Sequence, residues 1–146
     1  MDARQNLRLR KTLFVALLAL IALSIVLGVT HRGQWNIPDE AKLRQNPIHA
    51  SPQALDAARI LYDDHCERCH GKTGKGDGAD ATKFSTSPRD LTNSSRMNAQ
   101  SDGELFYKIS EGRRPMPEFK IKLTEEQRWQ LVLLMRSKAD TEKKIP

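Results

Sequence analysis

Cysteine is almost missing from this chain: 146 residues carry two, Cys66 and Cys69, so no disulfide framework can staple it together. Aromatic residues are also scarce, at 5%. A small domain short of both draws on a metal or a cofactor to complete its interior. No alternating run long enough for a sheet occurs, which leaves helices. No Cys or His follows His70, so a zinc site would lack its downstream pair. The net charge of +6 is concentrated: Arg4, Arg8, Arg10 and Lys11 against Asp2 give +3 before residue 12, and 20 basic against 17 acidic residues give +3 over the remainder. The high pI therefore owes much to a basic N-terminal tail. With no Lys/Arg-rich block elsewhere, nucleic acid is not an expected partner.

What is present divides into segments. Residues 1–11 form the basic N-terminus. Residues 12–30 are 19 residues without a charge, rich in Leu, Ala, Val and Ile, close to the roughly 20 needed to span a bilayer. This is the expected transmembrane signal-anchor helix. The alternative is a cleaved signal peptide, whose apolar region is shorter and ends in small residues. Val26-Leu27-Gly28 makes a weak cleavage site, so retention is favoured. Basic residues before the span place the N-terminus in the cytoplasm and the rest outside. Ser24 and Gly28 form a small-x-x-x-small pair of the kind that packs helices. Residues 31–50, with Pro38 and Pro47 and no sustained period, are expected to be a linker on or near the membrane. Trp35 lies there, either at headgroup level or packed on the domain.

The main domain is expected over residues 51–138, with 139–146 as a C-terminal tail. Ser51 caps a helix with Pro52 at its first position, and Leu55, Ala58, Leu61, Tyr62 and His65 follow at helical spacing. Residues 71–100 read as loop. A second helix opens with the capping box Ser101 and Glu104 and stops at Gly112. A third opens at Thr124, with Gln127 as its reciprocal cap, and carries Trp129, Val132, Leu133 and Met135. The fold class is all-α.

The decisive motif is Cys66-Glu67-Arg68-Cys69-His70, a C-x-x-C-H sequence that attaches haem covalently. Two thiols at this spacing reach the two vinyl groups of one porphyrin edge, and the next residue, His70, is held beneath the iron as an axial ligand. A thioredoxin-type pair would need a βαβ context, absent here. A carrier iron needs a sixth ligand, and Met sulfur raises the potential relative to a second His. Met135 lies among Leu and Val in the third helix, where core packing suits it. Met97 sits in a polar loop. Met116 stands between Pro115 and Pro117, which restrict the backbone around it, and is the expected second axial ligand.

Residues 52–138 resemble the class I cytochrome c family, in particular short bacterial domains of the c6 and cbb3-oxidase subunit III type. The resemblance rests on Leu61-Tyr62 before the motif, Gly71, Gly74-x-Gly76-Asp77-Gly78, Pro88-Arg89-Asp90-Leu91, Gly112-x-x-x-Met116-Pro117 and the helix carrying Trp129. It implies three main helices around one covalent haem c, with first and last helices crossing at Ala58, where Gly is commoner, and Trp129 packing across. It further implies that Pro88 packs near the proximal face, that a backbone carbonyl nearby orients His70, and that Arg89 either binds a haem propionate or stays on the surface. Arg113 and Arg114 beside Met116 form either a rim for an acidic partner or a solvated face.

The function expected is single-electron transfer, without substrate turnover of its own. The chain would be anchored in a bacterial cytoplasmic membrane, with its haem on the periplasmic face. Partners would be a quinol-oxidising complex, a terminal oxidase or a photosynthetic reaction centre. The alternative is a permanently bound subunit of one such complex. A peroxidase or gas sensor would need an open iron position, against which Met116 stands.

Overall fold

The computed structural model describes residues 3–31 and 35–141, which separate into an N-terminal unit up to Asn36 and a second unit from Ile37 onward. The N-terminal unit is one helix, α1 (Ala3–His31). At about 1.5 Å per residue its 29 residues extend roughly 43 Å. Its stretch Gln5–Val26 is long and apolar enough to cross a membrane, and Leu13, Phe14, Leu17, Ile21 and Ile25 are exposed along it. The hydroxyls of Thr12 and Ser24 donate to the carbonyls of Arg8 and Leu20, four residues back, so the helix satisfies these polar groups internally.

The second unit is helical, and no strand occurs among the described residues. Its elements are α2 (Asp39–Lys42), α3 (Pro52–His65), α4 (Glu67–His70), a single 3-10 turn at Ala81–Lys83, α5 (Ser94–Asn98), α6 (Asp102–Glu111) and α7 (Glu125–Thr141). The expected caps form. The Ser51 side chain accepts from Ala54 N with Pro52 in the first turn, and Ser101 and Glu104 complete a capping box. Thr124 N donates to Gln127 Oε1 at 2.8 Å while Gln127 N donates to Thr124 Oγ1 at 3.2 Å. Such caps place helix starts because the first turn leaves backbone N–H groups without partners.

The helices close on one core. α3 packs against α7, which also meets α5 and α6. Ala58, Val132 and Ala139 are fully buried, and Tyr62, Trp129 and Leu131 nearly so. Trp129 stacks on Phe106 of α6, with centroids 4.1 Å apart and planes 20° from parallel. Arg136 of α7 clasps the junction of α5 and α6, donating to Met97 O at 2.6 Å, Gln100 O at 2.7 Å and Asp102 Oδ1 at 2.8 Å. A planar guanidinium suits such a convergence of acceptors.

Three boundaries differ from expectation. Residues 37–50 are a strap on the domain and not a free linker. Ile37 is buried, α2 packs against α6, and Ser101 Oγ donates to Lys42 O at 2.7 Å. Arg44 pairs with Glu125 and lies over the rings of Phe106 at 4.5 Å and Trp129 at 5.2 Å. Asn46 Nδ2 donates to Trp129 O at 3.0 Å. The strap leaves no hydrophobic period in the sequence, because it binds through hydrogen bonds and a cation over aromatic faces. At the other end, α7 runs through Thr141 with Ala139 in the core, so the domain passes residue 138. The rest of the expected tail, 142–146, lies outside the described residues, as do 1–2 and 32–34. Within 71–100 a 3-10 turn forms, and α5 is capped by Asn93, whose Oδ1 accepts from Arg96 N at 2.9 Å.

The strap depends on a glycine. A Cβ on Gly103 would collide with the carbonyl oxygen of Ala41 and crowd that of Arg44. Gly103→Ala is expected to displace α2 and cost about 1–3 kcal/mol. A lowered denaturation midpoint, with faster proteolysis within residues 37–50, is the measurement that checks it.

Candidate functional site

α3 runs directly into the motif. Cys66 N donates to Tyr62 O at 2.8 Å, closing α3, while Cys69 N and His70 N both donate to Cys66 O, at 3.1 and 2.8 Å. The helical turn of α4 thus holds the two cysteines one turn apart, with the imidazole following. Both thiols are free and half-buried. Burial, and next the neighbouring Cys69, push the Cys66 thiol up to about 12, so it is an un-ionised thiol at neutral pH.

The His70 ring is fixed from behind. Its Nδ1 lies 3.1 Å from the carbonyl oxygen of Arg89, so Nδ1–H donates and Nε2 keeps its lone pair. Burial pulls the imidazole pKa below the ordinary histidine value, and the Arg89 carbonyl partly opposes this. The ring is therefore neutral at neutral pH, as a metal-binding nitrogen must be.

The segment 71–91 folds back to bring that carbonyl into place. Gly76 N donates to His70 O at 2.8 Å, Gly78 N to Cys69 O at 3.2 Å, Asp80 N to Arg68 O at 2.7 Å and Leu91 N to Gly74 O at 2.7 Å. Gly76 has φ +82, and a Cβ there would lie 2.5 Å from Pro88 O. Only glycine allows the two backbones to approach so closely. Tyr62, buried on α3, donates its hydroxyl to Gly71 O at 2.7 Å and anchors the residue after His70. Pro88 is half-buried against Gly76, whereas the Arg89 side chain is exposed, so Arg89 meets the site through its backbone.

The methionines separate cleanly. Met97 and Met135 are buried in the core cluster, while Met116 is half-buried and packs at its edge. Met97 leaves the polar loop expected for it because α5 turns its side chain inward. Met116 N donates to Arg113 O at 2.9 Å, forming a tight turn. That turn is tied back by Phe119 N, which donates to Ile109 O at 3.2 Å and Ser110 O at 3.1 Å. The Phe119 ring lies 5.9 Å from that of His65, the residue before Cys66, so the methionine loop is packed onto the end of α3. Arg113 and Arg114 are exposed beside it. Among the described residues no three His, Cys, Asp or Glu side chains gather as a metal site.

Three contributors escaped the sequence. They are the identity of the carbonyl that orients His70, which is that of Arg89, the His65–Phe119 contact and Lys138 of α7, whose ammonium donates to Lys72 O at 3.0 Å. A carbonyl is common to every residue, and the other contacts join positions 54 and 66 residues apart, so no local pattern announces them.

The family model described as "Cytochrome C oxidase, cbb3-type, subunit III" matches residues 53–135. Among solved structures, a chain of the Kuenenia stuttgartiensis reducing HAO-like protein complex shares the fold at a TM-score of 0.55 with 24% identity, over 63% of this chain and 46% of that one. The present chain thus spans under half the length of that relative. Cytochrome CL from the marine methylotrophic bacterium Methylophaga aminisulfidivorans MPT gives a TM-score of 0.51 with 24% identity, over 75% of each chain. No curated protein matches the chain.

Gly76 offers a direct test of the support behind His70. Gly76→Ala is expected to cost about 1–3 kcal/mol, from positive φ and the clash with Pro88 together. Thermal denaturation of the purified domain reads this, and an unchanged midpoint would show that the loop does not need the close approach.

Proposed function

The chain belongs to the cbb3-type cytochrome c oxidase subunit III family, a c-type cytochrome with covalently bound haem c, and from that premise we propose that it is a membrane-anchored one-electron carrier. The observation that carries this is the Cys66–His70 turn, with both thiols unpaired and the imidazole locked by the Arg89 carbonyl. The donor set fits the group: Cys66 and Cys69 would hold the porphyrin edge through thioethers, and His70 Nε2 and the Met116 sulfur would hold the iron. When bound, the haem supplies a one-electron couple, and thioether ligation sets it higher than a second imidazole would. The protein's part is to hold His70 in one tautomer, keep Met116 in a turn bracketed by prolines and pack Pro88 beside the proximal loop. A propionate contact for the Arg89 side chain draws its support from the exposure and positive charge of that side chain.

The apolar span of α1 supports an anchor. The basic residues before it support a cytoplasmic N-terminus, with the haem domain on the periplasmic face. Confinement to a membrane raises the effective concentration of a carrier near membrane partners. A quinol-oxidising complex as donor and a terminal oxidase or photosynthetic reaction centre as acceptor fit that place. A second reading, a fixed subunit of one such complex, draws support from the family description and from the strap. With residues 37–50 folded onto the domain, little of the expected linker is left for swinging.

The carrier reading predicts a low-spin spectrum with a weak sulfur-to-iron band in the red when the chain is made in a host that attaches haem. Met116→Ala abolishes that band and opens the iron to carbon monoxide, while the protein keeps its covalent porphyrin mass. A colourless wild-type protein without that mass would refute the assignment. On blue-native gels of gently solubilised membranes, a free carrier migrates alone; quantitative co-migration with a large complex transfers the conclusion to the subunit reading.

A further inference from the structure

Lys138 is where the last helix touches the loop that follows the attachment turn. Its stem crosses Gly74, where a Cβ would lie 3.1 Å from Lys138 Cδ. Its ammonium sits 4.3 Å from the centre of the Tyr62 ring and donates to Lys72 O at 3.0 Å. Tyr62 donates in turn to Gly71 O, so the two residues after His70 are both gripped by this pair. Ring face and carbonyl dipole each favour the charged amine. Burial nevertheless lowers its pKa from the ordinary lysine value, a sign that water is partly stripped from it.

We propose that Lys138 is a potential-setting residue: its positive charge, held against the loop that follows the turn carrying Cys66, Cys69 and His70, biases the one-electron equilibrium of haem c toward the reduced form. The inference rests on the assignment of that turn as the attachment site. Oxidised haem carries one more positive charge than reduced haem, so a neighbouring cation disfavours it, the more so where water screens poorly. Lys138 opposes, as the smallest of three causes, the burial that raises the Cys66 thiol. The other charged groups facing the ammonium are the carboxylates of Asp63 and Glu67 and the guanidinium of Arg59. Asp63 and Arg59 are exposed and therefore weakened by solvent; Glu67 is half-buried like Lys138 but acts on the ammonium less than Asp63 does, and Lys138 is tied to the loop.

The test is spectroelectrochemical titration of haem-loaded wild type, Lys138→Met, Lys138→Gln and Lys138→Arg. Met and Gln are each expected to lower the equilibrium constant for reduction about threefold, or about 28 mV at 59 mV per tenfold for one electron. Arg, which keeps the charge, is expected to leave it in place. Gln retains a donor for the Lys72 carbonyl, so it reports on charge alone even if Met loosens the loop. Equal potentials in all four proteins overturn the proposal, and so does an equal shift in the Arg variant, which would mark packing as the cause. The alkaline pyridine spectrum separates the two levels of failure. Wild type without covalent haem overturns the attachment assignment, whereas loaded protein with an unmoved potential overturns only the part given to Lys138.

Discussion

The packing of α3 against α7 is the constraint on which the rest depends. α3 delivers the motif at its C-terminal end, and α7 covers the face that α3 would otherwise expose. Small residues make the approach possible: Ala58 and Ala139 are wholly excluded from water, and a larger side chain at either would push the helices apart. Tyr62 then does two things from one position. Its ring fills the core and receives the Lys138 ammonium on its face, and its hydroxyl holds the carbonyl of Gly71. Core packing and the geometry of the attachment turn are therefore one arrangement, since neither Tyr62 nor Lys138 can move without disturbing both.

Around that pair the chain is closed by polar clasps. Arg136 satisfies three acceptors between α5 and the start of α6, Arg44 lies across Phe106 and Trp129, and Arg128 approaches Phe106 at 4.7 Å while pairing with Ser110. Aromatic faces in this small core are thus covered by guanidinium planes as well as by aliphatic side chains. A domain poor in aromatics makes each ring serve several neighbours, and arginine contributes both a stacking surface and hydrogen bonds.

The site itself is built from backbone as much as from side chains. His70 is oriented by a carbonyl, the attachment loop is stitched by amides from Gly74 to Leu91, and Met116 is held in a turn by its own amide. Such supports tolerate sequence change, provided that glycine stays where two backbones meet. Gly76 and Gly103 are two such positions: one admits Pro88 and the other admits the strap. The placement of Lys138 adds a charge to this frame from the far end of the sequence.

Short-range patterns carried much of this in the amino-acid order itself. The caps at Ser51, Ser101 and Thr124 fixed the three main helices, the C-x-x-C-H spacing defined cofactor chemistry, and an uncharged run of 19 residues marked α1, because each is a relation between residues within a few turns of one another. Tertiary structure alone decided which carbonyl faces His70, that Met97 is core whereas Met116 is at its edge, that residues 37–50 bind as a strap, and that Lys138 reaches Tyr62. Those outcomes hinge on contacts between segments distant along the chain, made through backbone groups or polar side chains that leave no hydrophobic period, so only the assembled core brings them together.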